Sequence, residues 1–284
     1  MIKGPIGVFD SGFGGLTVLN ALRQELSEFQ FYYLGDNARA PYGSRSFEVI
    51  HQYTLEALDF LFKAGCPLVI LACNTASAKA LRTIQQQYLP KYWPDRKVLC
   101  VIRPTTEHMG EWTHSNHIGI LGTSGTVKSN SYKIEIERFF PGLKVYQQAC
   151  PMLVPLIENQ EQDSPAMQLF ISQYIQALFK QSAKIDTVVL ACTHYPIIEK
   201  QLAAEIGSKA RLISQGPVVA HALKRYLHKH PEIAQNCILN RETRFFTTEE
   251  PELFNSMAAC FLNRTVSATQ VQLTFNPLNS KNAH

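Results

Sequence analysis

Two matching seven-residue stretches constrain the fold of this chain more than any other feature. Residues 69–75 read VILACNT and residues 188–194 read VVLACTH. Each begins as an apolar run typical of a strand buried on both faces, and each ends in Ala-Cys before a small polar residue. The two cysteines are 192 − 73 = 119 residues apart, which is far too long for one metal-binding loop. The spacing instead fits equivalent positions in two halves of a duplicated α/β chain.

The same two cysteines, Cys73 and Cys192, indicate where function lies. In open α/β sheets, ligands bind at the carboxyl ends of the strands, where both thiols are expected. A helix that begins directly after a cysteine also favours the thiolate, through its free N–H groups and its dipole. A single cysteine in such a place is often only a core residue. The duplicated context favours the functional interpretation for the pair.

A second repeat supports two related halves. Residues 6–12 read IGVFDSG and residues 118–125 read IGILGTSG, with first residues 118 − 6 = 112 positions apart. Both are strands that end in small, polar, glycine-containing turns, although such turns are also common in α/β folds in general. Strands alternate with helical patterns along the whole chain, which predicts parallel sheets. The predicted elements that matter below are a strand over 98–102 and helices over 46–63, 127–139 and 251–262.

Composition and cysteine count exclude several classes of protein. The chain has 284 residues, of which 45% are hydrophobic and 18% charged, and a net charge of +4 without a basic stripe. These values are typical of a globular protein, and nucleic acid is not expected as a partner. The chain starts directly in a strand, without a signal peptide or a membrane-length apolar segment, so we expect a cytoplasmic protein with no membrane contact.

The cysteines outside the matched pair do not form a recognisable site. Seven cysteines at irregular spacings are not a disulfide framework. No second ligand pair accompanies Cys192 and His194 at a spacing suited to zinc, so no metal is expected. The remaining cysteines are predicted to be core residues: Cys66, Cys100, Cys150, Cys237 and Cys260.

The glycine-rich turn after the first strand points to a small anion. Residues 10–17 read DSGFGGLT, which is neither the dinucleotide-binding fingerprint nor a P-loop. Such a turn presents free N–H groups to an anion, and a small carboxylate fits better than a nucleotide. Asp10 is either a helix N-cap or a charged group directed into a cleft.

Four motifs occurring together resemble the glutamate racemases of the cofactor-independent Asp/Glu racemase superfamily. They are DSGFGG at 10–15, PYG at 41–43, ACNTAS at 72–77 and ACTHYP at 191–196. The resemblance covers about residues 5–265 and implies two pseudo-symmetric α/β domains with mainly parallel sheets and the active site at their interface. It implies a split first domain of residues 1–97 plus 210–270, a second domain of 98–209, and a tail of 271–284.

The resemblance also implies roles for individual residues. Cys73 and Cys192 would be the acid/base thiols, Asp10 would assist the thiol of its own half, and His194 with Glu158 would assist the other. The groups expected to hold the substrate are Asp10, Ser11, Tyr42, Gly43, Asn74, Thr75, Thr193 and His194, with Thr123 and Thr126 as additional contacts. The chain departs from the family at residues 214–216 (SQG), where many members carry an aspartate, and at Arg103 in a variable loop.

The chemistry explains why such an enzyme needs two thiols. Inverting an α-carbon without a cofactor requires one group to remove a proton and another to deliver one to the opposite face. A thiol pKa of about 8.5 is close enough to neutrality for either role. A carboxylate such as Asp10 raises a neighbouring thiol's pKa, so we hypothesise that it makes Cys73 a stronger base or relays its proton. The carbanion would be stabilised by preorganised donors around the substrate.

The function implied by the resemblance is interconversion of L- and D-glutamate, without a cofactor, to supply D-glutamate for peptidoglycan. Family members are commonly homodimers. The alternatives are an aspartate or hydantoin racemase, or a two-lobed amino-acid-binding protein without catalysis. The two thiols and their partners favour an enzyme over a binding protein, and Asp10 and His194 favour glutamate. An additional regulatory role through protein contacts stays open.

Overall fold

The computed structural model describes residues 3–275, which form ten strands and fifteen α-helices, besides short 3₁₀ and π segments. The strands are β1 (Ile6–Asp10), β2 (Phe31–Gly35), β3 (Leu68–Leu71), β4 (Lys97–Cys100), β5 (His117–Gly122), β6 (Lys144–Ala149), β7 (Thr187–Ala191), β8 (Arg211–Ser214), β9 (Thr243–Thr247) and β10 (Ala268–Gln270). The helices are α1 (Gly15–Glu25), α2 (Phe47–Lys63), α3 (Asn74–Lys79), α4 (Leu81–Thr83), α5 (Leu89–Tyr92), α6 (Ile102–Thr106), α7 (Met109–Trp112), α8 (Ser124–Ser129), α9 (Ser131–Phe139), α10 (Leu153–Glu158), α11 (Pro165–Gln181), α12 (Glu199–Ile206), α13 (Gln215–Lys229), α14 (Pro231–Ala234) and α15 (Pro251–Leu262).

The strands form two parallel sheets with the same internal order. The first sheet runs β10-β9-β2-β1-β3-β4 and the second runs β6-β5-β7-β8. All the strand pairings are parallel. In the first sheet β1 lies between β2 and β3 with β4 outside β3, and β5–β8 repeat that order in the second. The two repeats found in the sequence therefore lie at equivalent strand ends, and the predicted pair of α/β units with parallel sheets is confirmed.

The strand pairing shows that the chain passes from one sheet to the other at residues different from the predicted ones. The predicted boundary at 97/98 would place β4 with the second half, but β4 pairs with β3 in the first sheet. The predicted return at 210 would place β8 with the first half, but β8 pairs with β7 in the second sheet. The physical reason is the repeat itself, since each half uses its fourth strand to extend its own sheet. The first sheet then gains β9 and β10 beyond β2.

Several predicted elements have the bounds that the sequence indicates. The helix over 251–262 is confirmed, and α2 begins after Ser46, whose hydroxyl accepts a hydrogen bond from the Val49 N–H. The single helix predicted over 127–139 is wrong, because Asn130 adopts a left-handed conformation with φ 54° and separates α8 from α9. Asparagine is among the few residues that adopt this conformation readily. The strand predicted to reach 102 ends at Cys100, because α6 begins at Ile102.

The start of the predicted tail packs against the rest of the chain. The Val271 N–H donates to the carbonyl of Thr247 at 2.8 Å, and the Phe275 ring packs edge-on against Tyr88 and Tyr92. The remainder of the predicted tail lies outside the described residues. One cysteine prediction is also wrong, because Cys260 is exposed on α15 whereas the other four predicted core cysteines are buried.

Three hydrophobic clusters cover the faces of the sheets. One covers a face of the first sheet with α1, α13 and α15, and another covers a face of the second sheet with α10, α11 and α12. The third continues from one sheet to the other, joining residues such as Phe9 and Leu71 to Ile120 and Val189. The two halves thus share a core, which fixes their strand ends relative to each other. Within residues 3–275, the helices are too short or too polar to cross a bilayer.

Candidate active site

Cys73 and Cys192 follow the equivalent strands β3 and β7, and both are nearly buried, with exposures of 5% and 6%. Cys73 occupies the N-cap position of α3, where its Sγ accepts a hydrogen bond from the Ala76 N–H at 3.4 Å. The same sulfur donates to Ser11 Oγ at 3.4 Å. Cys192 Sγ lies 4.0 Å from Nδ1 of His194. Each thiol therefore has its own polar partners.

Cys73 is a thiol at neutral pH. Burial raises its pKa, the charge of Asp10 raises it further, and the hydrogen bonds with Ser11 and Ala76 oppose both, leaving a pKa of about 12. This direction agrees with the hypothesis that Asp10 makes Cys73 a stronger base, which stays a prediction. A thiol with a raised pKa holds its proton in the resting protein and becomes a strong base once the proton has left.

Asp10 links the two halves of the chain within the site. It is fully buried, and one carboxylate oxygen accepts the Gly12 N–H at 3.0 Å while the other accepts the hydroxyl of Thr193 at 3.3 Å. Burial raises the pKa of Asp10, while the positive charge of His194 and these hydrogen bonds lower it. The N-cap interpretation is wrong, because the N-cap position of α1 is Gly14. Asp10 instead connects the first thiol's surroundings to the loop that carries the second.

The buried His194 and the half-buried Glu158 form an ion pair beside Cys192. His194 Nε2 donates to Glu158 Oε1 at 2.9 Å, and the other ring nitrogen faces the Cys192 sulfur. Burial lowers the pKa of His194, but the hydrogen bonds and negative charges of Cys192 and Glu158 outweigh it and raise the pKa to about 10. The ring is therefore an imidazolium at neutral pH, with one N–H for the carboxylate and one for the sulfur.

This ion pair makes folding stability depend on pH in a defined window. The pKa of His194 is about 10 in the folded protein against 6.5 for the ordinary imidazole. Because the folded value is the higher one, its stabilisation is complete below about pH 6.5, declines as pH rises and is lost above about pH 10. In Glu158→Gln the pKa of His194 should fall. We expect the excess stability of the wild type over Glu158→Gln, measured by urea unfolding, to shrink between pH 6.5 and 10.

Titration of the His194 ring signal by NMR checks the cause directly. The midpoint should lie near pH 10 in the wild type and lower in Glu158→Gln. A stability difference between the two proteins that stays constant from pH 6 to 10, or one unchanged ring titration in both, would contradict the ion pair.

The glycine-rich turn brings the two halves into close contact. A Cβ on Gly14 would collide with Nδ1 of His194 and Oγ1 of Thr193, and would lie 2.7 Å from Cε1 of His194. A Cβ on Gly15 would collide with the side chain of Asp10. The Gly12 N–H is already bound by Asp10. The Gly12 N–H thus binds the protein's own carboxylate and the glycines permit close packing, while binding of a ligand carboxylate by this turn stays a prediction.

A chain of hydroxyl groups crosses the interface beside Cys73. Thr75 Oγ1 and Thr123 Oγ1 are 2.9 Å apart, and Thr123 donates to Thr126 Oγ1 at 3.1 Å. The Gly125 N–H donates to the carbonyl of Gly43 at 2.8 Å. A Cβ on Gly43 would meet the Thr123 side chain at 3.0 Å. The four predicted substrate residues Gly43, Thr75, Thr123 and Thr126 are therefore in contact with one another.

Two predicted substrate residues have their side-chain polar groups bonded to the protein. The Tyr42 hydroxyl donates to Asp36, which also binds Arg39 at 2.8 Å. The Asn74 amide is bonded to Gln215 and Tyr132. Asp36, Gln215 and Tyr132 were not among the predicted site residues. The departure from the family at residues 214–216 was a sequence signal for Gln215.

The arrangement is suited to moving protons to and from one atom between the halves. Two thiols come from equivalent strand ends, one with an acidic neighbour and one with a cationic neighbour. Hydroxyl groups of Ser11, Thr75 and Thr193 line the same interface. Within residues 3–275, no three His, Cys, Asp or Glu side chains are grouped so that they could hold a metal ion. The chemistry that this geometry offers directly is general acid–base catalysis.

Comparison with known proteins defines the class. The Asp/Glu/Hydantoin racemase family matches residues 6–223. The chain therefore belongs to this family, and it is a racemase, an isomerase.

Its relatives narrow the class further. The chain is 35% identical over 277 residues to the glutamate racemase of Dinoroseobacter shibae, covering 94% of this chain and 98% of the relative. Its structure is similar to that of a glutamate racemase isoform from Bacillus anthracis, with a TM-score of 0.86, 33% identity and coverage of 95% and 98%. A Francisella tularensis glutamate racemase in complex with D-glutamate gives a TM-score of 0.82 at 29% identity, with coverage of 95% and 98%.

Proposed function

We propose that this protein interconverts L- and D-glutamate by a two-thiol reaction that uses no cofactor. The observation that carries the proposal is the pair Cys73 and Cys192, two nearly buried thiols at equivalent strand ends with different polar partners. Glutamate as the substrate is supported by the glutamate racemases to which the chain is similar over more than nine-tenths of its length.

In this proposal the two thiols begin the reaction in different protonation states. Cys73 holds its proton because burial and Asp10 raise its pKa to about 12, so it acts first as the acid. The sulfur of Cys192 acts as the base, and its thiolate accepts a hydrogen bond from the His194 imidazolium. Turnover in the opposite direction exchanges the two roles, since one proton leaves one thiol while another arrives at the other.

The other residues stabilise the charge that develops at the substrate. The α-proton of an amino acid is a very weak acid, so the carbanion must be stabilised by preorganised donors. Ser11, Thr75 and Thr193 supply hydroxyl groups at the interface. Glu158 holds His194 in its charged form, and Asp10 holds Thr193. We infer that Tyr42, Gly43, Asn74, Thr123 and Thr126 complete the wall around the substrate.

Incubation of the purified protein with each glutamate enantiomer in D₂O, without added cofactor, tests the proposal. We expect optical rotation to decay to zero from either enantiomer. The newly formed enantiomer should carry deuterium at the α-carbon, because the second thiol delivers a solvent-derived proton to the opposite face. Racemisation of aspartate without racemisation of glutamate would show that this member of the family acts on aspartate. Binding of glutamate without inversion or exchange would show a binding protein instead.

Three parts of the wider prediction rest on the resemblance. They are the supply of D-glutamate for peptidoglycan, the cytoplasmic location and the homodimer. Each stays a prediction, and each has its own measurement: growth rescue by D-glutamate, cell fractionation, and sedimentation of the purified protein.

A further inference from the structure

Three buried side chains form a closed ring of hydrogen bonds beside Cys73. The Tyr132 hydroxyl donates to Asn74 Oδ1, Asn74 Nδ2 donates to Gln215 Oε1, and Gln215 Nε2 donates to the Tyr132 oxygen, each at 2.7 Å. The hydroxyl has a single proton, so donating it to Asn74 obliges the oxygen to accept from Gln215. The ring therefore has one consistent direction and fixes the orientation of both amides.

The members of the ring come from three separate parts of the chain. Asn74 is the first residue of α3, Tyr132 lies on α9 in the second half, and Gln215 begins α13 directly after β8. Gln215 Nε2 also contacts Thr105 Oγ1 at 2.9 Å and the carbonyl of Val101 at 3.2 Å. The ring can exist only when the two halves have the relative arrangement seen here.

The ring is one residue away from the thiol. Asn74 directly follows Cys73, whose sulfur caps α3 and is bonded to Ser11 in the loop after the neighbouring strand β1. An unsatisfied buried amide would rotate to find other partners, and the backbone of Asn74 would move with it. Through the backbone of Asn74, the ring fixes the orientation of the Cys73 side chain.

We propose that Tyr132 and Gln215 are positioning residues for racemisation, which act on Cys73 through Asn74. The proposal rests on the two-thiol reaction proposed above. It assigns a role to Gln215, which was not among the predicted site residues. Neither residue needs to touch the substrate, because both act by placing the Cys73 sulfur against the α-proton.

A positioning role has a consequence that a merely structural role lacks. Misplacing a reacting group by about 1 Å costs about 10²-fold in rate. Here only the proton transfer that uses Cys73 should slow. The two enantiomers have equal free energy, so kcat/KM must remain equal in both directions and cannot reveal the difference. The primary deuterium isotope effect can, because it reports how far each proton removal limits the rate.

Tyr132→Phe is the test, with Thr105→Val as the matched control. Tyr132→Phe removes one hydroxyl and two of the three ring bonds. Thr105→Val also removes one buried hydroxyl bonded to Gln215, but Gln215 Nε2 keeps the Tyr132 oxygen and the Val101 carbonyl for its two protons, so the ring survives. Isotope effects on kcat/KM are measured with α-deuterated L- and D-glutamate.

We expect Tyr132→Phe to lower kcat about 10-fold or more and to shift the two isotope effects in opposite directions. The effect should rise for the enantiomer deprotonated by Cys73 and fall for the other. Thr105→Val should lower Tm and leave both isotope effects at their wild-type values. Gln215→Met also breaks the ring and should shift the two isotope effects in the same way as Tyr132→Phe. It serves as the test if Tyr132→Phe does not fold.

The outcomes separate this proposal from the proposed function. If Tyr132→Phe and Thr105→Val both lower Tm and both keep the wild-type isotope effects, the ring is structural and the positioning role is wrong. Absence of glutamate racemisation in the wild type would refute the proposed function itself, before any variant is compared.

Discussion

Replacing either Cys73 or Cys192 by serine is expected to slow glutamate racemisation by about 10²–10⁴-fold, the range that general acid–base catalysis contributes. Serine keeps the size and the hydrogen-bonding capacity of the side chain, so Ser11 and Ala76 retain a partner at position 73. Its hydroxyl, however, does not ionise near neutral pH. Racemisation followed by circular dichroism gives the rate from each enantiomer.

The two serine variants should also differ from each other in a defined way. In each, the remaining thiol can still remove the α-proton of the one enantiomer whose proton faces it and return a solvent deuteron to the same face. NMR in D₂O should therefore show exchange without inversion, from one enantiomer in Cys73→Ser and from the other in Cys192→Ser. Cys237→Ser, at a buried cysteine outside the site, is the control and should racemise at a rate close to wild type. Exchange of the same enantiomer by both variants would contradict a two-thiol mechanism.

The sequence predicted the parts of the fold that local patterns encode. The repeated Ala-Cys strand ends and the repeated glycine turns located β1, β3, β5 and β7, and these strands occupy equivalent places in the two sheets. Helices with a clear cap or proline start, such as α2 and α15, were predicted to within a residue. Both signals are properties of a short segment and need no knowledge of its neighbours.

The parts that failed depend on partners distant in the chain. The sheet membership of β4 and β8 is decided by pairing with β3 and β7, and hydrophobic periodicity does not encode a pairing partner. The same holds for Gln215, whose hydrogen bonds reach Asn74 from 141 residues away. Asp10 was identified as a site residue, but its bond to Thr193 across 183 residues was not foreseeable from a glycine-rich turn.

Gly14→Ala is expected to impair both stability and catalysis, although the backbone at this position suits alanine. Gly14 has φ −57° and ψ −35°, an ordinary helical conformation in which alanine is intrinsically favoured. Any loss must therefore come from the collision of the new methyl group with Thr193 and His194. Overpacking of this kind costs about 1–3 kcal/mol. A shift of about 1 Å in His194 should lower kcat about 10²-fold.

Gly122→Ala is the matched control, because its Cβ would meet Thr126 Cγ2 at 3.4 Å, an ordinary van der Waals contact. Urea unfolding, kcat and the NMR titration of His194 are measured for both variants. We expect only Gly14→Ala to move the His194 midpoint below its value of about 10, because displacing the ring weakens its bonds to Glu158 and Cys192. If Gly14→Ala instead kept the wild-type kcat and His194 titration, the glycine turn would accommodate the methyl group without displacing His194. Its contact with residues 193 and 194 would not position His194 beside Cys192. The close packing of the two halves would then be a feature of the fold and not of the catalytic site.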